Sequence, residues 1–390
     1  MKSIRDRAVP LLTQLVNTNS HTANPKGVRE IQDILADEIQ KLGLSVEWIA
    51  GEEAALKPLG AEILLGSFGK GPKTITLLCH ADTVFPKDSK FQSMRIEKEH
   101  ALGPGVIDDK GGILVSLMAI EELLKQWPKN LRLQWLCMPS EETGSQGFHE
   151  SLKSLSSHTS LVLGFEPAMD DGSIVCARRG NKWFQLEITG RGGHAGRDAG
   201  KVLNPAFEAA IFAERAARLS RHDAGVSVSV TDLKTNSPAF NVIPSQAEVK
   251  LDVRFDENLK GAHVEDSIRS LAESPHLIAL DGIQELQKKL HIQENCPAFS
   301  KLPTVEPVLE HALKAIQQIE GRKVSAVRSG GSADCNYMSR PGLPIVDGLG
   351  PVGSGIHTIQ ESLHIPSLFT RAEIAVSVIR FFTESANEHG

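Results

Sequence analysis

Segments of helical periodicity alternate with short apolar runs in the first half of the chain. Val28 to Leu42 carries apolar residues at helical spacing and stops at Gly43, and Ile113 to Leu124 predicts a second helix. Three apolar runs are typical of buried strands: Thr74 to Cys79, Leu131 to Met138 and Leu161 to Phe165. Strands that alternate with helices predict a mostly parallel sheet covered by helices.

The pattern changes near Gly180, where polar and apolar residues begin to alternate one by one. Such alternation is typical of strands with one buried and one solvated face, and it predicts an antiparallel sheet. The alternating segments are Trp183 to Thr189, Val226 to Val230 and Ala247 to Phe255. Helical stretches at Pro205 to Leu219 and Val264 to Ala272 complete an order that indicates a split βαβ unit. The stretch that follows, up to Gln293, is ambiguous.

The first pattern returns after Pro297. Val305 to Ile319 and Ser367 to Phe382 predict helices, and the Gly- and Pro-rich region between them, Ser329 to Gly355, is typical of loops. The chain is therefore predicted to be an α/β protein of two domains. Residues 1–180 and 296–390 form a larger domain around a mostly parallel sheet, and residues 181–295 form an inserted α+β domain of ferredoxin-like type.

Composition narrows the classes of function. The chain has 390 residues, more than one ordinary core holds, and its formal net charge of −6 without a long basic run argues against nucleic-acid binding. No stretch reaches the roughly 20 apolar residues that span a bilayer, and the charged N-terminus predicts a helix, not a signal peptide. Five scattered cysteines predict neither a disulfide framework nor a thiolate zinc site, so the reducing cytoplasm is the expected compartment.

Histidine or carboxylate side chains directly follow three of the apolar strands. His80 and Asp82 follow the first strand, Glu141 and Glu142 the second, and Glu166 the third. In open α/β sheets the ligand crevice lies beyond the carboxyl ends of the strands, so these groups are expected to converge.

A fourth acidic pair, Asp108-Asp109, precedes a helix in the loop GPGVIDDKGG. Each of these motifs has an ordinary structural explanation, because a His-x-Asp pair is common, a Glu-Glu pair is usually solvated and an Asp-Asp pair often caps a helix. Carboxylates gathered in one crevice would repel each other, however, and a metal ion is the simplest compensation. The shared placement at strand ends therefore favours a metal site.

Six segments give a more specific indication: CHADTVFP, GPGVIDDKGG, PSEETGS, GFEPA, GRGGHAG and GSGIHTIQE. Together they resemble the motifs of a family of zinc-dependent exopeptidases and deacylases, in the order that the family has them. That family contains glutamate carboxypeptidase, acetylornithine deacetylase, succinyl-diaminopimelate desuccinylase and the aminoacylases. The resemblance implies that the larger domain is catalytic and that the inserted domain is a lid and a dimerisation domain.

The resemblance also implies two Zn²⁺ ions per subunit, for which Co²⁺ or Mn²⁺ can substitute. His80 and Glu166 correspond to ligands of one ion. Glu142 and His357 correspond to ligands of the other. Asp108 corresponds to the bridging ligand, and its peptide bond to the next residue is expected to be cis. Two such ions can share a water molecule, lower its pKa and polarise the scissile carbonyl.

Three further residues correspond to catalytic positions of the family. Asp82 is expected to accept a hydrogen bond from the second ring nitrogen of His80. Glu141 corresponds to the general base, which takes a proton from water and passes it to the leaving nitrogen. His194 corresponds to a histidine that enters the active site of the partner subunit and stabilises the oxyanion, which implies a homodimer formed through the inserted domain.

Other positions correspond to groups that hold the free carboxylate of a substrate. They are Arg254, Asn241, Gly330, Gly331 and Ser332. Arg254 would clamp the carboxylate, and the Gly-Gly-Ser loop would offer backbone N–H groups. Glu361, four residues after His357, either orients the loop of that histidine or caps a helix.

The predicted function is a di-zinc metallohydrolase that cleaves an amide or peptide bond next to a carboxylate-bearing amino acid. Its expected substrate is a small peptide or an N-acyl amino acid. By the resemblance, the glutamate at position 166 is typical of the carboxypeptidase and deacetylase branches, and the segment GPGVIDDKGG is most similar to the glutamate carboxypeptidases. One alternative is an N-acyl amino acid deacylase of the acetylornithine deacetylase or desuccinylase type. A different class, a non-catalytic metal-bound binding protein, is the more distant alternative. No nucleic acid or membrane is expected as a partner.

Overall fold

The computed structural model describes residues 2–52, 62–277 and 286–385. By their contacts, these residues group into two units. The first unit consists of Met1–Ala177, Lys301–Ser329 and Ala333–Gly390, and the second consists of Arg178–Ser300 and Gly330–Ser332. The second unit therefore interrupts the first along the chain.

A six-stranded mixed sheet forms the centre of the first unit. Its strands lie in the order Ser45–Ala50, Glu62–Phe68, Leu131–Met138, Lys73–His80, Leu161–Gly164 and Ile345–Val346. The last four pair in parallel, and the first two extend one edge of the sheet in antiparallel fashion. The three predicted strands are confirmed, and they read as continuous apolar runs because both of their faces are buried. The two antiparallel strands were not predicted.

Helices pack against this sheet and against one another. Lys110–Leu124 is buried along almost its whole surface and packs against Ile365–Ser385, which in turn packs against Glu306–Glu320. A buried ion pair joins the last two helices, with Arg371 Nε 2.9 Å from Glu320 Oε1. The other helices of this unit are Ala8–Asn17, Pro25–Lys41, His149–Ser156 and Asp334–Tyr337.

A small antiparallel sheet joins two distant segments of the first unit. Its strands lie in the order Gly353–Ser354, Ser362–His364, His100–Leu102 and Arg95–Glu97. Leu363 pairs with Ala101, so the strand that follows His357 in sequence lies beside the strand that precedes the loop of Asp108. A further two-stranded sheet pairs Ile174–Arg178 with Ala326–Ser329.

The second unit is a four-stranded antiparallel sheet with two helices. Its strands lie in the order Val226–Thr235, Gln246–Phe255, Gly180–Thr189 and Gln287–Cys296. Apolar residues of the helices Pro205–Ala217 and Asn258–Glu273 join those of the strands in one core. The stretch up to Gln293, which the sequence pattern left ambiguous, includes the first residues of the fourth strand. Residues 278–285 of that stretch lie outside the described residues. A two-stranded antiparallel sheet of Gly193–His194 and Val242–Ile243 and the short helix Ala195–Asp198 complete the unit.

The predicted α/β class with an inserted α+β unit is confirmed by this architecture. Strand, helix, strand, strand, helix, strand is the chain order of a ferredoxin-like split βαβ unit. All five cysteines are buried free thiols. Within the described ranges, no helix combines the length and the apolar content required to cross a membrane.

Candidate metal centre and active site

The strand ends of the parallel sheet deliver side chains to a common edge. Lys73–His80 ends at His80, which pairs with Met138 in the neighbouring strand. That neighbour continues into a single 3₁₀ turn, Glu141–Thr143. On the other side, Leu78 pairs with Gly164, two residues before Glu166. The register of the sheet therefore brings these side chains to the same edge, as the sequence predicted.

Two groups of side chains that could hold a metal ion share one aspartate. The first group is His80, Asp108 and Glu166, and the second is Asp108, Glu142 and His357. Within each group the ligand atoms lie within 4.8 Å of one another. Oδ1 of Asp108 lies 3.0 Å from Nε2 of His80, and Oδ2 lies 3.2 Å from Nε2 of His357. Each carboxylate oxygen of Asp108 thus serves a different group, which is the arrangement of a bridging ligand.

The chemistry of the donors fits a pair of divalent cations. Imidazole nitrogens and carboxylate oxygens are ligands of zinc and of related transition metals. The pKa of His357 is raised to about 10 by hydrogen bonds with Asp108 and Glu142. For His80, burial alone would lower the pKa, but the hydrogen bonds with Asp108 and Asp82 outweigh burial and raise it. The carboxylates therefore attract positive charge at both positions, and divalent cations would supply it.

Asp82 contacts more than its predicted partner. Nδ1 of His80 lies 3.3 Å from the Asp82 carboxylate and 3.1 Å from its carbonyl oxygen. The same carboxylate accepts hydrogen bonds from the backbone N–H groups of Glu141 at 3.0 Å and Glu142 at 3.2 Å. The hydroxyl of Thr22 donates to it at 2.6 Å, a contact that no sequence motif indicated. Asp82 therefore fixes both the histidine ligand and the turn that carries the glutamates.

The loop around Asp108 has the backbone geometry expected from the resemblance. The peptide bond between Asp108 and Asp109 is cis, as predicted. The side chain of Asp109 is fully buried, and its Oδ2 accepts the backbone N–H of His80 at 3.2 Å. This bond ties the start of the loop's helix to the end of the strand that carries the first ligand.

Glu361 stabilises the same loop from the other end of the chain. Its fully buried carboxylate accepts three backbone N–H groups, from Gly105 at 3.0 Å, Ile107 at 3.0 Å and Asp108 at 3.2 Å. Helix capping, one of the two roles predicted for Glu361, is therefore wrong. The other predicted role was to orient a loop of the site, and the side chain does so, but it bonds to the loop of Asp108 and not to the loop of His357. These three N–H groups have no backbone acceptor within the glycine-rich loop itself, and the buried Glu361 carboxylate accepts their hydrogen bonds instead.

Glu141 differs from its neighbour Glu142. Among the described residues it belongs to neither ligand group, although it is adjacent to a ligand in sequence. Burial, followed by the charge of Glu166, raises the pKa of Glu141 well above its usual range.

Two of the predicted residues of the second unit, His194 and Asn241, lie in or next to its two-stranded sheet. His194 pairs with Val242, and the backbone N–H of Ala195 donates to the carbonyl of Asn241 at 2.9 Å. The side chains of His194 and Asn241 are both exposed. Nδ1 of His194 accepts the N–H of Gly196 at 3.1 Å, so a proton would reside on Nε2 of the neutral ring.

The predicted carboxylate-binding residues already have partners within the second unit. Arg254 forms two hydrogen bonds with Asp252, with Nε to Oδ1 at 2.8 Å and Nη2 to Oδ2 at 2.9 Å. Residues two apart on a strand share a face, which explains the pair. In the Gly330–Ser332 loop, the hydroxyl of Ser332 donates to Asn181 at 2.8 Å. A Cβ built at Gly330 would meet open space, so close packing does not require that glycine.

A mixed sheet covered by helices, with two groups of histidine and carboxylate side chains at its strand ends and in the adjoining loops, is an architecture typical of metal-dependent hydrolases. The model of Peptidase family M20/M25/M40 matches residues 76–380, and the chain belongs to this family. The resemblance drawn from the motifs is thereby confirmed. The family depends on metal ions, and the protein is an enzyme of the metallo-exopeptidase and amidohydrolase class.

Individual relatives extend along most of the chain. Carboxypeptidase G2 of Pseudomonas sp. (strain RS-16) is 26% identical over 375 residues, which cover 95% of this chain and 88% of that protein. A succinyl-diaminopimelate desuccinylase of Gluconacetobacter diazotrophicus is 28% identical over 355 residues, covering 82% and 88%. The crystal structure of aminopeptidase PepT from Bacillus cereus superposes with a TM-score of 0.75 at 22% identity, covering 96% of this chain and 98% of that one. The structural likeness supports the fold.

Proposed function

We propose that the protein is a di-zinc hydrolase that cleaves an amide or peptide bond next to a carboxylate-bearing amino acid, as a glutamate carboxypeptidase does. The observation that carries the proposal is the division of the two Asp108 oxygens between two ligand groups. Similarity to carboxypeptidase G2 along 95% of the chain favours this branch of the family. Small peptides with a free C-terminus are the proposed substrates.

The proposed resident cofactor is a pair of Zn²⁺ ions, with Co²⁺ or Mn²⁺ as substitutes. His80 and Glu166 would hold one ion, Glu142 and His357 the other, and Asp108 both. Such a pair would lower the pKa of a water molecule and polarise the scissile carbonyl. In the proposed arrangement, Asp82 keeps His80 in the orientation and tautomer that a ligand requires.

Glu141 performs the proton transfers in the proposed reaction. Its carboxylate accepts a proton from the attacking water, whose oxygen forms a bond to the carbonyl carbon. As the tetrahedral oxyanion collapses, the carbon–nitrogen bond breaks and Glu141 returns the proton to the leaving nitrogen. The exclusion of Glu141 from both ligand groups supports this role, because its carboxylate stays available to the water.

Recognition of the substrate carboxylate is assigned to the second unit. The guanidinium of Arg254 donates two hydrogen bonds to the carboxylate of Asp252. A substrate carboxylate would compete with Asp252 for these N–H donors. Asn241 and the Gly330-Gly331-Ser332 loop are proposed to contribute further donors.

The second unit, residues 181–295 in the sequence-based division, is proposed to act as a lid and a dimerisation domain. Its strand Val226–Thr235 lies at the edge of the sheet and exposes Val230 and Leu233. An edge strand is a ready template for pairing with a second copy of the chain. In the resulting homodimer, the exposed His194 would stabilise the oxyanion in the active site of the partner.

A second candidate activity is the deacylation of N-acyl amino acids. Its support is the 28% identity to a succinyl-diaminopimelate desuccinylase, slightly above that to the carboxypeptidase. Both reactions break an amide by the same chemistry and differ in which side of the bond carries the recognised group. The non-catalytic alternative is not retained, because the chain belongs to a family of hydrolases.

The test is amino-acid release from a panel of N-acyl amino acids and of peptides with free C-termini. Zinc-loaded protein should release the amino acid, chelated protein should not, and the preferred member identifies the branch. Glu141→Ala should lower kcat by about 10²–10⁴-fold while the zinc content stays unchanged. Glu150→Ala, an exposed glutamate in the following helix, is the matched control. Absence of release from every member, with zinc bound, would contradict the proposal.

A further inference from the structure

The turn that carries Glu141 and Glu142 has an unusual backbone. Glu141–Thr143 forms one 3₁₀ turn, and the next two residues, Gly144 and Ser145, have φ angles of +83° and +47°. A positive φ is rare in a residue other than glycine, and it persists only where surrounding contacts impose it. Within the turn, the N–H of Ser145 donates to the carbonyl of Ser140 at 2.9 Å. The side of the turn that faces away from Asp82, called here its outer side, is contacted by other segments.

The outer side is held by the short helix Asp334–Tyr337. The hydroxyl of Ser145 donates to Oδ1 of Asp334 at 2.5 Å, and both residues are buried. The hydroxyl of Tyr337 donates to the carbonyl of Gly144 at 3.1 Å. Asp334 and Tyr337 are three positions apart, so they lie on the same face of the helix. Two adjacent residues of the turn are thereby fixed to one rigid element.

A histidine completes these contacts. Nε2 of His149 donates to the same carbonyl of Gly144 at 2.7 Å. Its ring stacks on the ring of Tyr337, with centroids 4.0 Å apart and an angle of 12° between the planes. On its inner side the turn is bonded to Asp82, which accepts the N–H groups of both glutamates. The turn is therefore held from both sides.

We propose that Asp334, Tyr337 and His149 are positioning residues that set the direction of the Glu141 carboxylate. None of them belongs to a ligand group within the described residues, and they act through Ser145 and Gly144. The inference rests on the proposed function, because it assigns these residues to the proton transfers of Glu141. A displacement of about 1 Å at a catalytic group can lower a rate about 100-fold, so loss of this support is expected to affect turnover.

The experiment compares steady-state kinetics of His149→Ala, Ser145→Ala and Tyr337→Phe at saturating zinc. We expect kcat to fall about 10- to 100-fold in the first two variants, with KM within about twofold of the wild type. Tyr337→Phe keeps the ring stack and one of the two donors to Gly144, so a smaller loss is expected. Asp334→Asn keeps an acceptor for the hydroxyl of Ser145 and should retain more kcat than Asp334→Ala.

Matched controls separate positioning from general stability. His311 makes comparable contacts away from the turn, since its ring stacks on Phe381 and its Nε2 contacts the hydroxyl of Ser377. His311→Ala should lower the melting temperature without changing kcat. An equal loss of kcat in His311→Ala, or wild-type kcat in both His149→Ala and Ser145→Ala, would overturn the inference. A weakened zinc affinity together with wild-type kcat at saturating zinc would also overturn it, because the effect would then lie in metal affinity.

A measurement independent of turnover uses the tyrosine content of the chain. Tyr337 is the single tyrosine, so protein grown with 3-fluorotyrosine should give one ¹⁹F resonance. Ser145→Ala should shift that resonance, and His311→Ala should leave it unchanged. An unchanged resonance in Ser145→Ala would show that the helix does not hold the turn. If zinc-loaded wild type hydrolyses no substrate while the resonance responds as expected, the proposed function fails and the structural support of the turn stands.

Discussion

The carboxylate of Glu361 accepts the backbone N–H of Asp108, a residue 253 positions earlier in the chain. The same carboxylate also accepts the N–H groups of Gly105 and Ile107. The backbone around the shared aspartate is therefore held by a residue that was expected to act on the loop of His357 or on a helix end. This relationship makes the loop of Asp108 sensitive to a change far away in sequence.

Glu361→Ala should weaken both the fold and the metal site. Each buried N–H that loses its acceptor costs about 1–3 kcal/mol, and supporting bonds behind ligands typically contribute 10–100-fold to metal affinity. Urea unfolding and competition titration with a zinc chelator measure the two effects. Glu208→Ala is the control, because Glu208 is a buried carboxylate that accepts the N–H groups of His276 and Leu277. It should lower stability and leave zinc affinity unchanged. Equal zinc affinities in the two variants would contradict the role of Glu361.

Zinc stoichiometry should depend on which ligand is removed. Asp108→Ala should lose both ions because its two oxygens serve different groups, whereas Glu166→Ala should lose one. Atomic emission after dialysis against zinc-free buffer measures the content per chain. Asp88→Ala, which changes an exposed aspartate in the same part of the sequence, should keep the wild-type content. One full equivalent of zinc in Asp108→Ala would show that the aspartate does not bridge.

Mixed dimers test whether His194 acts in the partner subunit. If it does, a dimer of His194→Ala with Glu141→Ala contains one intact site, made of Glu141 from one chain and His194 from the other. Random exchange should then restore about one quarter of wild-type activity, since half of the dimers are mixed and each has one working site. Each variant exchanged with itself is the control. A mixture as inactive as the separate variants, with exchange verified by mass, would place His194 outside the partner's site.

Acid should remove the stabilisation that Glu38 provides. Burial on its own raises the pKa of Glu38, but hydrogen bonds from Arg7 and Lys41 outweigh it and hold the pKa below the ordinary value of 4.5. A lowered folded-state pKa stabilises the fold above pH 4.5, and this contribution is lost as the pH falls through the folded-state value. Glu38→Gln should therefore cost about 1–3 kcal/mol at pH 7 and progressively less below pH 4.5.

Urea unfolding of both proteins across this pH range measures the difference. Glu30→Gln, an exposed glutamate of the same helix, should leave the free energy of unfolding nearly unchanged. A constant difference between wild type and Glu38→Gln from pH 7 to pH 3 would show that the ion pair is not its origin.

The part of the site that the sequence revealed is the part built from strand ends. A parallel strand is recognisable as an apolar run, and its carboxyl end has a fixed place in the sheet, so His80 and Glu166 could be assigned to one crevice from the sequence alone. The acidic pair Asp108-Asp109 was noticed in its loop before the motif resemblance gave Asp108 a role. The resemblance alone supplied His357, which lies in a loop where periodicity gives no information. Both groups meet as expected in the described structure.

The supporting contacts could not be predicted because each joins segments that are distant in sequence. Thr22 bonds to Asp82, Asp334 bonds to Ser145, and such contacts leave no pattern in the sequence around either residue. Glu361 was expected to support a loop of the site, but its bonds to the loop of Asp108 were not foreseen. The strands Ser45–Ala50 and Glu62–Phe68 were also missed. They are held in the sheet by antiparallel pairing with neighbouring strands, which their own sequences do not reveal.

The interruption of the first unit orders the events of synthesis on the ribosome. His80, Asp108, Glu142 and Glu166 all precede the second unit, whereas His357 and Glu361 follow it. A nascent chain therefore offers one complete ligand group early, but the other stays incomplete until residue 357 of 390 has been added. On the proposed mechanism, peptide-cleaving capacity therefore arises only after the segment assigned to subunit pairing has been translated.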